Sequence, residues 1–153
     1  MQTHSYLYED KQWNKALDNS LDSENTLIIC FGSTNFDDIK DGFADISNIF
    51  KQSKILGCST AGEIYDDLVY DSTLSVVVMK FEKTQLKLVN HECNDSKDSF
   101  NAGKNISKEL FADDLKSIFV LSDGLNINGS QLTKGLSDSI GIKYYHHRWI
   151  SWG

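Results

Sequence analysis

Proline is absent from the 153 residues. Ordinary usage of about 5% would place several in a chain of this length, so the turns must be made by Gly, Asn, Asp and Ser. Cysteine is sparse as well: Cys30, Cys58 and Cys93 are odd in number and far apart, with no CxxC pair or zinc-knuckle spacing. That usage excludes a disulfide framework and a cysteine-built structural metal site, and it fits a reducing compartment. No apolar run approaches the roughly 20 residues of a membrane span. The start Met1-Gln2-Thr3-His4-Ser5-Tyr6 lacks the basic and apolar stretches of a secretory signal. The expected location is the cytoplasm. Bases are outnumbered, 15 Lys and Arg against 22 Asp and Glu, for a net charge of −7. A surface of that sign repels phosphate backbones and anionic bilayers, so neither nucleic acid nor membrane is expected as a partner.

What is present is the composition of a soluble globular protein, 40% hydrophobic and 24% charged, at a length that suits one domain. Residues 1–25 are polar with scattered aromatics and read as a lead-in segment. Thr26-Leu27-Ile28-Ile29-Cys30-Phe31 is a β-branched apolar run closed by Gly32-Ser33, the pattern of a strand buried on both faces. Phe36, Ile39, Phe43, Ile46 and Phe50 then advance by three and four, which predicts a helix capped by Thr34 or Asn35. Lys54 to Thr60 reads as a second strand emptying into small residues. The stretches Ser75–Phe81 and Gln85–His91 read as an antiparallel hairpin, and His91 falls in its second arm. Phe100, Gly103, Ile106, Leu110 and Phe111 share a helical face, Ser117–Leu121 is another apolar strand, and Leu132, Leu136 and Ile140 mark a last helix with Asn128-Gly129-Ser130 as cap. The predicted class is α/β, a mixed sheet with helices packed on it in the order βαβββαβα, incomplete at the carboxy-terminal end.

If the strands joined by helical crossovers run parallel, two loops leave carboxyl ends of strands at one edge, where open α/β sheets bind ligands. The first holds Cys58, Ser59, Thr60, Gly62 and Glu63. Its hydroxyls and backbone amides suit a carboxylate or phosphate, and Glu63 suits an amine. The second holds Ser122, Asp123, Asn126 and Asn128, an acid and amides ahead of a helix. Together they predict a pocket for a small polar molecule. The same residues have a plain structural use, since small residues after strands serve tight packing and Asp-Gly and Asn-Gly are ordinary turn formers. Cys58 reads as a buried small hydrophobe, with no His beside it to make it a nucleophile. Hydrolase or transferase chemistry at Cys58 or Ser122 is the alternative function. The acidic stretch Glu63-Ile64-Tyr65-Asp66-Asp67 lacks calcium-loop spacing and reads as solvated turn charge.

The runs Gly57-Cys58-Ser59-Thr60-Ala61-Gly62-Glu63-Ile64 and Leu121-Ser122-Asp123-Gly124-Leu125-Asn126-Ile127-Asn128-Gly129-Ser130 resemble, in order and distance, the amino-terminal half of the FIST domain. The resemblance covers about residues 26–140. FIST stands for F-box and intracellular signal transduction, a bacterial sensory module found alone or joined to chemotaxis receptors, histidine kinases or cyclic-dinucleotide enzymes. The resemblance implies a non-enzymatic domain that binds a small ligand, with amino acids the proposed class, and passes a signal to a downstream protein or domain. It also implies a haem-based gas sensor as a further alternative, for which no motif here nominates an axial residue. It supplies no residue-level site pattern, so the site residues above rest on the loop argument.

After Ile140 the family pattern continues into a strand and a Thr-Gly-Gly-Leu-Ala-Gly loop, whereas this chain reads Tyr144-Tyr145-His146-His147-Arg148-Trp149-Ile150-Ser151-Trp152-Gly153. Written as CAT CAC CGG TGG ATT AGC TGG GG and read one base later, the last eight codons spell Ile-Thr-Gly-Gly-Leu-Ala-Gly. The expectation is a sensory domain over 26–141 and an out-of-frame tail over 142–153, with the paired histidines and tryptophans accidental. A chain cut short in this way is expected to be a fragment of the sensory module, with a nonfunctional remnant as the alternative.

Overall fold

The polar amino terminus is a strand and not a lead-in. In the computed structural model, which describes residues 1–93 and 95–140, Gln2–Glu9 form β1 and turn through Asp10 and Lys11 into β2 (Gln12–Trp13). Both turn residues have positive φ, 49° and 62°, the left-handed pair that matches a two-residue hairpin to the twist of its strands. Tyr6 and Tyr8 give β1 its apolar period of two, and both rings are buried. The hydroxyl of Tyr6 accepts from the Asp18 amide at 3.2 Å, which satisfies its polar end. The chain divides into two compact units, Met1–Leu86 and Lys87–Gly153, and each is described by itself. The tail proposed to be out of frame lies outside the described residues.

In the first unit, β3 (Thr26–Ser33), α1 (Phe36–Ile49) and β4 (Lys54–Thr60) form the expected crossover. β3 and β4 pair in parallel, with Cys30 opposite Gly57 and Phe31 opposite Cys58. A small hairpin follows, β5 (Glu63–Tyr65) and β6 (Leu68–Tyr70), and β7 (Leu74–Lys80) then returns into the middle of the sheet, antiparallel to both β1 and β3. The five-stranded order is β2-β1-β7-β3-β4. The fold is therefore a mixed α/β one.

That order explains why the hairpin expected between β7 and Gln85–His91 does not form. Both edges of β7 are taken, by β1 and β3, so no ladder is open to a third partner. Gln85–His91 carries no strand, and Leu88 and His91 are exposed. The predicted strand Ser117–Leu121 is likewise unassigned, with Phe119 exposed. An apolar run becomes a strand only where a neighbouring ladder receives it.

The core of this unit lies on one face of the sheet, where Ile28, Cys30, Leu74, Val76 and Val78 meet Tyr6 and Tyr8. α1 covers that face with Ile39, Gly42 and Ile46, and Phe50 follows as the C-cap. Gly42 lies directly under the Tyr8 ring, where a Cβ would come within 2.7 Å of it. The buried stripe is thus rotated from the predicted one. Phe36 and Phe43 lie off it and are exposed.

In the second unit, α2 (Ser99–Leu110) and α3 (Gly129–Ile140) pack on one another. The contact is made by small residues: a Cβ on Gly103 would overlap the Leu132 carbonyl, and one on Gly135 would overlap the Phe100 carbonyl. Ser99, Ala102, Gly103 and Ser107 are the buried positions of α2, while Phe111, expected on its inner face, is exposed.

Candidate functional site

β3 and β4 end side by side, and both end in small hydroxyl residues, Gly32-Ser33-Thr34 and Gly57-Cys58-Ser59. Where they leave the sheet they meet the first two turns of α1, and a cleft of about 310 Å³ opens there. Its walls are Phe36, Ile39, Phe43, Ile55 and Leu74. Ser33, Thr34 and Ser59 add hydroxyls, and Cys30 and Cys58 add thiols. Gly57 lets the two strands approach at this point: a Cβ there would come within 2.5 Å of the Cys30 carbonyl oxygen.

The electrostatics of the cleft are those of a neutral site. Among the described residues, no Lys, Arg or His lines it. The first turn of α1 carries Asp37 and Asp38, which oppose an anion where a helix dipole would otherwise favour one. Asp38 is held by the Ser33 hydroxyl at 3.4 Å and the Asn35 amide at 3.2 Å. Asp37 pairs with Lys40 at 2.9 Å. The Lys40 side chain, by hydrogen bond and charge, holds the Asp37 carboxyl below its usual range.

Of the first predicted loop, only Cys58 and Ser59 border this cleft. The Thr60 hydroxyl donates to the Glu63 carboxylate at 2.7 Å, and the other carboxylate oxygen accepts from the Thr73 amide at 3.2 Å and its hydroxyl at 3.0 Å. Glu63 is 1% exposed. Its acceptors are occupied by the chain itself, so it fastens the loop instead of facing an amine. Gly62 sits against Val69 and the Tyr70 carbonyl.

The second predicted loop belongs to the other unit, and its polar groups are also engaged locally. Asp123 accepts from the amides of Leu125 at 2.8 Å and Asn126 at 3.4 Å and from the Asn126 side chain at 2.6 Å. These bonds, the Leu125 amide first, hold its carboxyl below the usual range. Asn128 caps α3, accepting from the Gln131 amide at 3.1 Å, while its own amide donates to the Ser99 hydroxyl at 2.9 Å. Ser122 is half-buried.

Cys58 is exposed, contrary to the expectation of a buried residue. It occupies β4, the last strand of the sheet, where among the described residues one side of the backbone has no strand neighbour. Partial burial nevertheless raises its thiol above the ordinary value. Burial pushes the Cys30 thiol up to about 12. A nucleophilic cysteine needs the opposite, a thiolate favoured by a nearby cation or base.

Sequence reasoning missed Ser33, Thr34, Phe36, Phe43 and Ile55. The available signal was the repetition at Gly32-Ser33 of the small-residue ending seen at Gly57-Cys58-Ser59, together with two phenylalanines outside the buried stripe. Among known proteins, the family model described as the FIST N domain matches residues 26–144. No curated protein and no solved structure matches the chain.

Proposed function

Since the chain belongs to the FIST N domain family, a family of signal-transduction sensory domains, we propose that it senses a small amphipathic ligand in the cleft between α1 and the carboxyl ends of β3 and β4. The observation that carries this reading is the cleft itself, an apolar space with neutral hydroxyls where a parallel pair ends. The ligand's apolar part meets Phe36, Phe43 and Ile55, and its polar head meets Ser33, Thr34 and Ser59. An amino acid with an apolar side chain fits that division better than a phosphate or other strong anion, given Asp37 and Asp38 beside the cleft. Glu63 and Thr60 act at one remove by holding the loop. Ser122, Asp123, Asn126 and Asn128 enter the proposal from their sequence pattern alone, and alanine substitutions at them test their share.

The role is binding and not catalysis. The support is that both thiols at the cleft are held in the neutral form by burial. Haem does not fit these residues. Its axial ligand would be His, Met, Tyr or a Cys thiolate, and among the described residues the cleft offers two thiols whose ionisation is suppressed. The downstream recipient is a signalling protein or domain, and the working location is the cytoplasm. Residues 142–153 are proposed to be out-of-frame translation, and reading the source DNA tests this: codons whose shifted frame does not encode Thr-Gly-Gly-Leu-Ala-Gly would reject it.

Thermal-shift titration with leucine, phenylalanine and the remaining amino acids tests the ligand reading. A ligand at a hundred times its dissociation constant stabilises by about 2.7 kcal/mol. Ser59→Ala with Thr34→Ala should weaken that response without unfolding the chain, because both residues are at the rim. An unaltered response in the double variant would place binding elsewhere.

A further inference from the structure

The β5–β6 hairpin turns an apolar surface outward. Ile64 and Val69 are cross-strand partners, so they share a face, and they are 70% and 72% exposed. Leu68, at the tip, is 56% exposed. The hairpin is fixed from the other side. The Ser75 hydroxyl donates to the Ile64 carbonyl at 2.9 Å, the Asn14 amide donates to the Tyr65 hydroxyl at 2.7 Å, and Glu63 is buried beneath. An anchored strand pair whose large aliphatic side chains face water is costly unless something covers them.

Charge says what kind of cover suits it. Asp66 and Asp67 form the turn and Asp71 follows β6, all three exposed. Between Lys54 and Lys80 the sequence has no Lys, Arg or His at all. The ion pairs among the described residues involve none of these three carboxylates. The apolar tip is therefore ringed by unneutralised negative charge. A second copy of this chain brings the same three carboxylates and a further −7, which opposes self-association through this surface.

We propose that the β5–β6 tip is a docking surface for a partner protein, occupied by a segment whose apolar side chains cover Ile64, Leu68 and Val69 and whose Lys or Arg residues meet Asp66, Asp67 and Asp71. This goes beyond the ligand cleft and does not rest on it. It names the chemistry of the surface through which a signal would leave the domain.

The test uses the full chain and a fluorescently labelled amphipathic peptide of leucine and lysine, with a leucine–glutamate peptide as the charge-inverted control. Ile64→Thr with Val69→Thr removes two of the three exposed aliphatic side chains at unchanged charge and keeps strand propensity. Asp66→Asn with Asp67→Asn removes two charges, and asparagine tolerates the positive φ of 53° at position 66. Asp113→Asn with Asp114→Asn removes two exposed charges elsewhere. The expected result is binding of the leucine–lysine peptide alone, weakened by about tenfold or more in each tip variant and unchanged in the control variant. Equal weakening in all three variants, or no binding, overturns the proposal. So does self-association in sedimentation that Ile64→Thr with Val69→Thr abolishes, because the occupant would then be a second copy.

Discussion

The buried carboxylate of Glu63 accepts from both the backbone amide and the hydroxyl of Thr73, at 3.2 Å and 3.0 Å. It thereby ties β5 to the residue that leads into β7, the central strand of the sheet. Thr60, at the end of β4, donates to the same carboxylate. One side chain thus holds the loop that follows the cleft.

Removing that carboxylate should cost stability more than ligand affinity. Glu63→Ala leaves the Thr60 hydroxyl and both Thr73 donors without an acceptor in a buried place, for an expected loss of about 2–4 kcal/mol. Glu63→Gln keeps one carbonyl oxygen and should lose about half as much. Urea denaturation of the two variants measures this. A Glu63→Ala chain as stable as its parent would show that the bonds are incidental.

The helix pair of the second unit depends on two glycines. Gly103→Ala or Gly135→Ala drives a methyl into a facing backbone carbonyl, so each should force α2 and α3 apart at a cost of about 1–3 kcal/mol or more. Amide hydrogen exchange should show lost protection in α2 and α3 with β3 and β7 unchanged. Retained protection in both helices would contradict the close approach.

The thiols should respond to pH in order of burial. Native-state alkylation should reach Cys58 and spare Cys30, and the Cys58 rate should keep rising past the ordinary thiol value of 9.0 because partial burial raises its pKa. Half-maximal reactivity below that value would instead mark an activated nucleophile. For Cys30 the folded thiol ionises at about 12 against an ordinary 9.0. Its raised value stabilises the fold fully below the unfolded value, and that contribution is lost as pH rises from about 9 to about 12. Cys30→Val should flatten this part of the pH–stability curve.

Much of the first unit was legible because β3 and β7 carry unbroken apolar runs, although β3 is fully buried on one face only, at Thr26, Ile28, Cys30 and Gly32. The run Thr26–Phe31 sits in the sheet interior and reads as such, and the Lys54–Thr60 strand pairs with it as its crossover requires. β1 was hidden because Tyr6 and Tyr8 carry its apolar alternation among Gln, Thr, His and Ser. The missing arm at Gln85–His91 alternates correctly, yet topology leaves β7 no free edge, and local pattern carries no information about which edges are taken. The face of α1 was misjudged for a related reason: Gly42 is buried under an aromatic ring while two phenylalanines border the cleft. Hydrophobicity alone ranks those positions the other way. Of the predicted site, Cys58 and Ser59 border the cleft, while the polarity of Thr60 and Glu63 serves internal bonds that spacing does not distinguish from ligand contacts.

The central claim is that the cleft between α1 and the ends of β3 and β4 takes a small ligand. It is tested most directly by calorimetric titration of the best-stabilising amino acid into the parent chain and into Ser59→Trp, whose indole would fill the cleft from its rim. The account predicts saturable binding to the parent and at least about a hundredfold weaker binding to Ser59→Trp, a difference of about 2.7 kcal/mol, with the variant still folded by circular dichroism. Undiminished binding to a folded Ser59→Trp chain, or no binding of any amino acid to the parent, would contradict it.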